Sequence, residues 1–239
     1  MNSDAKEPYY GGLNELLAIE QCMPNYNAFI VDKFLDYLEK KESYNVVDFG
    51  AGIGTLSLVI EEKTGIKPLC LEIDLENQSF LNKRGFPVID GLDHMKQPAD
   101  AVFSSNVLEH IEDDVKILRS IHEHLAEQGL LFLYLPAFQL LFSDLDIKVG
   151  HYRRYSKRSL VEKVRSCGFD VVACEYADSI GFFASLAMKV LGYNNESGLG
   201  SAKSLKFYDR FLLPVSSVVD MALFRHLFGK NIILAAKKR

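Results

Sequence analysis

The stretch VVDFGAGIGT, residues 46–55, constrains the fold of this chain more than any other. A short apolar run is followed by three glycines at every second position, Gly50, Gly52 and Gly54. Residues 56–63 then show the apolar spacing of a helix. Glycines between a strand and a helix let the backbone pass close to a ligand at the helix N-terminus. The stretch therefore predicts a nucleotide-type cofactor site. A tight turn without a ligand is the alternative.

Strands and helices alternate along most of the chain. Two helices are predicted first, at 13–22 and 26–39, and strands are predicted at 44–49, 68–73, 86–89, 99–105, 130–135, 169–176 and 231–236. The helix that begins near residue 112 is expected to end at Gly129, a glycine just beyond a last helical turn. Because helices separate the strands, the order predicts βαβ units and a parallel sheet with helices on both faces.

The length of 239 residues suits one domain, which we divide into four parts. These are N-terminal helices at 1–43, a cofactor-binding core at 44–177, a helical insertion at 178–229 and a last strand at 230–239. The insertion is rich in Phe, Leu, Val and Met. It is interpreted either as a layer that packs on the sheet or on a second subunit, or as a wall for a lipid-tailed acceptor that touches a membrane surface.

Composition narrows the classes of function. The net charge of −5 argues against a nucleic-acid partner, since such proteins usually carry a basic field. None of the four cysteines forms a CxxC pair, so we expect reduced thiols and no metal site. The N-terminus lacks the pattern of a signal peptide, and no apolar run approaches the ~20 residues that span a bilayer. A cytoplasmic protein is expected.

The second strand helps to choose the cofactor. A dinucleotide turn reads GxGxxG, but Thr55 stands where the third glycine would be. Glu72, at the end of LCLEID, can accept hydrogen bonds from both ribose hydroxyls of an adenosine, and Asp74 is a competing acid. These residues disfavour a nicotinamide-dependent oxidoreductase without excluding it.

Four segments together resemble one family. DFGAGIGT, LEID, FSSNVLEHIEDD and GLLFLYLP are similar to motifs of the class I S-adenosylmethionine-dependent methyltransferases, over roughly residues 25–176 and the final strand. The resemblance implies an α/β, Rossmann-like fold with a mixed, mostly parallel seven-stranded sheet. It also implies S-adenosylmethionine as the methyl donor.

The resemblance also assigns cofactor contacts. It implies that the methionine and ribose are lined by Asp48, Gly50, Ala51 and Gly52, that Glu72 holds the ribose, that the backbone of Leu92 meets the adenine, and that Asn106 lies at the sulfonium end. Glu109 and His110 are expected to hold the turn into the next helix.

His151 is the candidate catalytic residue, because it follows the fifth strand, where α/β active sites collect. It is interpreted either as a general base or as a positioning residue. Arg153 and Arg154 either clamp an anionic acceptor or pair with Asp144 or Asp146.

DLDIKVGHYRRYSKRSL resembles a subgroup linked to polysaccharide and lipid-linked sugar biosynthesis. The resulting prediction is methyl transfer to a small-molecule or lipid-linked sugar acceptor, at oxygen. A nicotinamide-dependent oxidoreductase and a non-catalytic, cofactor-binding regulatory module remain as alternatives.

Overall fold

The computed structural model describes residues 12–39, 41, 44–191, 201–222 and 224–239. Residues 1–11 of the expected N-terminal region and residues 192–200 and 223 of the expected insertion therefore lie outside the described residues.

The described residues build one seven-stranded sheet in the order β3-β2-β1-β4-β5-β7-β6. The strands are β1 (Val46–Phe49), β2 (Leu69–Leu71), β3 (Val88–Ile89), β4 (Ala99–Ser105), β5 (Leu125–Pro136), β6 (Phe169–Ala177) and β7 (Asn231–Lys238). β1 to β5 pair in parallel, whereas β7 runs antiparallel to both β5 and β6. The prediction of a mixed, mostly parallel sheet is confirmed.

Helices cover both faces of the sheet. They are α1 (Leu13–Cys22), α2 (Pro24–Leu35), α3 (Thr55–Thr64), α4 (Leu75–Lys83), α5 (Asp114–His124), α6 (Asp144–Lys148), α7 (Lys157–Ser166), α8 (Ser179–Leu191), α9 (Ala202–Phe207) and α10 (Leu213–Ala222). On one face Phe34 of α2 packs against Phe103 and Phe132 of the central strands. On the other, α5 and α7 bury Leu118 and Leu160. Burial on both faces explains why the central strands are continuously apolar.

The sheet order positions the site. The connection from β1 goes to one side of the sheet and the connection from β4 to the other, so the carboxyl ends of these neighbours flank a crevice. In open α/β sheets ligands bind at such a point.

One predicted boundary is wrong. The helix α5 ends at His124, and β5 begins at Leu125, five residues before the strand was expected. Leu125 already pairs with Ala99, and the next pair joins Ala101 to Leu130. The residues between form a bulge, so Gly129 lies within the strand and does not cap the helix.

Three helical elements connect β6 to β7. Among the described residues these are the α-helices α8, α9 and α10; the π-helical turn Tyr208–Leu212 joins the last two, and a 3₁₀ turn, Phe224–His226, precedes β7. In the π-helical turn the buried carboxylate of Asp209 accepts hydrogen bonds from the backbone amides of Asn25 (3.2 Å) and Tyr26 (2.8 Å), in the first turn of α2. The connection is therefore tied to the N-terminal helices.

Among the described helices, none combines the length and the apolar character that crossing a bilayer requires.

Candidate cofactor and acceptor site

The glycine turn leaves room that other parts of the chain use. All three glycines have positive φ, at 76° for Gly50, 55° for Gly52 and 85° for Gly54. A Cβ on Gly50 would lie 2.4 Å from Cγ2 of Val107, and one on Gly52 would lie 3.3 Å from Cδ1 of Leu16. The segment after β4 therefore approaches Gly50 so closely that a side chain there would clash, and the helix α1 makes a tight contact at Gly52.

The amides of this turn already have partners. Gly50 and Ala51 donate to the carbonyl of Leu71, at 2.8 and 3.1 Å. The amide of Gly52 donates to Oε2 of Glu72 at 2.7 Å. A pyrophosphate site needs free amides that point at the ligand. The turn is therefore poorly suited to a dinucleotide, in agreement with Thr55 in place of the third glycine.

The two acids after β2 have different roles. Glu72 is buried, and its Oε1 accepts from the amides of Ile73 (2.8 Å) and Asp74 (2.9 Å). Asp74 is the N-cap of α4, where its side chain accepts from the amides of Glu76 and Asn77. Glu72 therefore belongs to the glycine turn, and Asp74 is occupied in capping the helix.

Asp48 lies beneath the turn at the end of β1. It is buried, and its carboxylate accepts a hydrogen bond from the hydroxyl of Ser57 at 2.6 Å. Burial raises the pKa of Asp48 to about 7, and the nearby charge of Glu72 adds to the effect. The group is therefore close to its midpoint at neutral pH.

Leu92 and Asn106 complete the predicted cofactor set. Leu92 is buried in a 3₁₀ turn, Leu92–His94, after β3. Asn106 follows β4 with a φ of 53°, and its backbone amide donates to the backbone carbonyl of Tyr134 at 2.8 Å. Asparagine tolerates this left-handed conformation better than most residues. Because these segments follow parallel strands, both residues lie at the same edge of the sheet as the glycine turn.

His151 lies in a cluster of ionisable side chains beyond β4 and β5. Its Nδ1 is 2.7 Å from Oδ1 of Asp146, and its Nε2 is 3.9 Å from Oε1 of Glu109. The rings of His110 and His151 meet edge to face with centroids 4.6 Å apart. A carboxylate can only accept, so Nδ1 carries the hydrogen, and in the neutral form of the ring the lone pair is therefore on Nε2.

Asp146 organises the loop that carries His151. It is almost fully buried and accepts from Nε of Arg154 at 2.7 Å as well as from His151. Burial works against its charge, but these hydrogen bonds outweigh burial and hold the pKa of Asp146 far below its usual value. Of the two interpretations of the arginines, pairing within the loop fits Arg154. Arg153 instead pairs with Asp114 at 3.0 Å.

The turn after β4 holds two groups with shifted pKa values. Burial raises the pKa of Glu109 to about 8. Burial and the neighbouring His151 lower the pKa of His110 to about 4. Shifted groups of this kind are typical of functional sites, although structural networks also produce them.

Sequence reasoning missed a further set of residues at this edge. Tyr134 of β5 packs edge-on against Tyr26, with ring centroids 5.9 Å apart. Asp178 follows β6 with a φ of 64°, is buried, and accepts hydrogen bonds from Tyr208 and from Ser216. The sequence around Asp178 does not indicate these contacts, because its partners Tyr208 and Ser216 lie 30 and 38 residues further along the chain.

Comparisons with known proteins agree with this geometry. A family model described as a methyltransferase domain matches residues 22–174. A search of curated proteins gave no match.

Solved structures show the same fold at low identity. One is a putative methyltransferase complexed with the Haloferax volcanii methyltransferase activator Trm112, with a TM-score of 0.64, 12% identity and coverage of 97% of this chain and 98% of that one. A SAM-dependent methyltransferase from Archaeoglobus fulgidus has a TM-score of 0.62 and 16% identity, with coverage of 94% of this chain and 99% of that one. A third structure is phosphoethanolamine N-methyltransferase 2 of Haemonchus contortus in complex with S-adenosyl-L-methionine. It has a TM-score of 0.62 and 17% identity, with coverage of 95% of this chain and 57% of that one.

The chain therefore belongs to the methyltransferase-domain family. It is an S-adenosylmethionine-dependent methyltransferase, and the nicotinamide alternative is set aside. When bound, this cofactor supplies a methyl group carried on a positively charged sulfur.

The residues of the turn fit that cofactor. A buried carboxylate, Glu72, stands at the end of β2, where an adenosine ribose can be held. The turn itself presents no bulky side chain at Gly50 or Gly52.

Proposed function

We propose that this enzyme transfers the methyl group to an oxygen of a small-molecule or lipid-linked sugar acceptor. The observation that carries the proposal is a set of buried polar atoms without hydrogen-bond partners among the described residues. They include both carboxylate oxygens of Glu109 and Nη1 of Arg154. Buried polar groups normally have partners, and a polyhydroxylated acceptor offers both donors and acceptors.

The cofactor contacts are proposed as the resemblance implies. The set is Asp48, Gly50, Ala51, Gly52, Glu72, Leu92 and Asn106, within one domain that comprises residues 1–239. Support comes from the position of these residues at one edge of the sheet: Asp48 lies near the end of β1, and the others lie on segments that follow β1, β2, β3 and β4.

We propose His151 as the catalytic residue, since its Nε2 lone pair remains available when Asp146 holds Nδ1. In the transfer, the acceptor oxygen bonds to the methyl carbon, the carbon–sulfur bond breaks with its electron pair left on sulfur, and the acceptor hydroxyl loses its proton. That lone pair is suited to assist the loss of the proton.

Turnover tests the acceptor class. The protein is incubated with S-adenosylmethionine that carries a labelled methyl group, and with free sugars, polyprenyl-phosphate-linked sugars and simple amines in parallel. Label in a methyl ether of a sugar is the expected result. Label on the amines alone, or binding of S-adenosylhomocysteine without turnover on any acceptor, would contradict the proposal.

The connection between β6 and β7 suits an acceptor with a lipid tail. Along α9, the π turn and α10 the buried residues are largely polar, and include Asp209, Ser216 and Asp220. Four large apolar side chains are each more than half exposed: Phe207, Phe211, Val215 and Val218.

This pattern is the reverse of a helix that faces water. The exposed basic residues Lys203, Lys206 and Arg210 accompany it. We therefore propose contact with an anionic membrane surface. Two copies of this chain docked by the same face would bring like charges together, which disfavours self-association.

Vesicle sedimentation tests this contact. Pelleting with phosphatidylserine-containing vesicles, but not with pure phosphatidylcholine, is expected. The triple variant Lys203→Gln, Lys206→Gln and Arg210→Gln should bind about a hundredfold more weakly, because each basic residue near such a surface contributes about 1 kcal/mol.

The matched control removes as many charges from α5 and its surroundings, by Lys96→Gln, Lys116→Gln and Arg119→Gln. Equal loss in both variants would show that only net charge matters. A wild-type protein that dimerises and does not pellet would assign the face to a second copy.

A further inference from the structure

Glu109, His110 and His151 converge on one point. Glu109 and His110 belong to the 3₁₀ turn Leu108–His110 after β4, and His151 follows α6. Each residue offers one ligand atom, and the three atoms lie within 4.8 Å of one another. Two imidazole nitrogens and a carboxylate oxygen at this separation form a donor set that divalent transition ions accept.

The carboxylate of Glu109 gives an independent indication. Its side chain is fully buried, and beyond the residue's own backbone amide neither oxygen has a hydrogen-bond partner among the described residues. Burial favours the neutral acid, and a metal ion would supply the positive charge that lets the group ionise, since buried carboxylates are normally paired or coordinate a metal. The nearest nitrogen is Nε2 of His151, at 3.9 Å from Oε1.

Hydrogen bonds to other parts of the protein also orient both imidazole rings. Asp146 holds Nδ1 of His151, which leaves the Nε2 lone pair on the side of Glu109. The ring of His110 hydrogen-bonds to the backbone of Val149 and Gly150. Metal-binding histidines typically make such a second hydrogen bond to a carboxylate or a backbone carbonyl.

We propose that Glu109, His110 and His151 bind one divalent ion of the zinc, manganese, iron or cobalt class. The mixed nitrogen and oxygen donors disfavour magnesium and calcium, which prefer oxygen alone. Three protein ligands leave positions open for an acceptor hydroxyl, whose deprotonation the ion would favour. This inference rests on the proposed function and specifies how His151 acts: its lone pair would bind the ion, and the proton of the ion-bound hydroxyl would pass to solvent water.

The rival explanation is a water molecule between Glu109 and Arg154. Nη1 of Arg154 is also buried without a partner, and the arginine charge acts on Glu109. Such a bridge would satisfy both groups without a metal. It predicts no stoichiometric binding of any divalent ion.

The test is a cobalt titration of untagged, chelator-treated protein, followed by visible absorption. One ion per chain is expected, with bands that zinc removes by competition. Glu109→Gln and His151→Ala should each weaken binding about a hundredfold or more, since even the loss of an outer partner costs about 10- to 100-fold. His226→Ala, an exposed histidine of the connection before β7, is the matched control and should bind like the wild type.

The outcomes separate this inference from the proposed function. No cobalt binding, or binding that is unchanged in both ligand variants, overturns the metal site even if sugars are methylated. Stoichiometric binding that both variants lose supports it even if no acceptor has been found. Because Glu109 is buried, its variant is checked by thermal unfolding, and His151→Ala, at a partly exposed loop position, carries the test if Glu109→Gln does not fold.

Discussion

The two halves of the site differ in how their buried polar groups are satisfied. In the cofactor half, formed by the turns after β1 and β2, Asp48 pairs with Ser57 and Glu72 accepts three backbone amides. In the proposed acceptor half, formed by the segments after β4, β5 and β6, Glu109 and Arg154 have buried polar atoms without partners from other described residues.

The difference reflects what each half must recognise. The cofactor half is held together by its own hydrogen bonds, so its shape is fixed before a ligand arrives. The acceptor half leaves polar groups whose partners would come from outside the protein chain. Buried groups left for a substrate reject analogues that lack the matching hydroxyl, so they are a source of specificity.

The largest expected effect is in the cofactor half. Glu72→Ala should weaken S-adenosylhomocysteine binding about a hundredfold, because three backbone amides leave the carboxylate one acceptor position for a ribose hydroxyl, and a hydrogen bond to a charged group contributes up to about 3 kcal/mol. Calorimetric titration measures the affinity.

Asp74→Ala is the control for that titration. It removes the cap of α4 and should cost about 1 kcal/mol of stability with unchanged affinity. An affinity of Glu72→Ala within twofold of the wild type would refute the ribose assignment.

The sequence predicted the secondary structure around the proposed cofactor half more directly than the contacts of the proposed acceptor half, for a physical reason. The turn at Gly50, the acid Glu72 and the strands around them are adjacent in local βα units, so periodicity and glycine spacing report on them directly. Glu109 and His151 meet only because β4 and β5 are neighbours, and Asp178 meets Tyr208 across a long connection. Local patterns carry no information on such contacts.

The boundary of β5 shows a second limit. Gly129 has the sequence environment of a helix end, and only the pairing of Leu125 with Ala99 extends the strand past it. A tertiary contact therefore overrides a local signal.

Gly50→Ala tests whether the turn is fixed by the chain itself. The new Cβ would lie 2.4 Å from Val107, at a φ of 76° that alanine disfavours. A loss of about 3 kcal/mol in the free energy of unfolding is expected. Denaturant unfolding measures it.

The double variant Gly50→Ala with Val107→Ala separates the two causes. It should recover the steric part of the loss and leave the backbone strain. No recovery would show that Val107 does not set the need for glycine.

The stability of the cofactor half should depend on pH through Asp48. Its pKa is about 7 in the folded state, above the ordinary value, so between the two values the folded state holds a proton that the unfolded state has lost. The free energy of unfolding should therefore fall as pH rises toward 7, by up to about 1.4 kcal/mol per unit, and level off above it.

Denaturant unfolding at several pH values measures this slope. Asp48→Asn should reduce it, whereas Glu162→Gln, an exposed carboxyl on α7, should not. A slope that Asp48→Asn leaves unchanged would contradict the buried, protonated state.

The smallest effects give the sharpest comparison between the halves, because two variants each delete one hydroxyl. Ser57→Ala removes the partner of Asp48 and should cost about 1–3 kcal/mol, since a buried acceptor is left unsatisfied. Tyr134→Phe removes a buried hydroxyl whose hydrogen-bond partner is the neutral hydroxyl of Tyr26, so no charge is left unsatisfied and stability should fall by about 1 kcal/mol or less. Thermal unfolding compares them. If Tyr134→Phe were as destabilising as Ser57→Ala, its hydroxyl would be a structural group and the contrast between the halves would fail. If instead it keeps stability and loses turnover on a hydroxylated acceptor, the hydroxyl serves the acceptor.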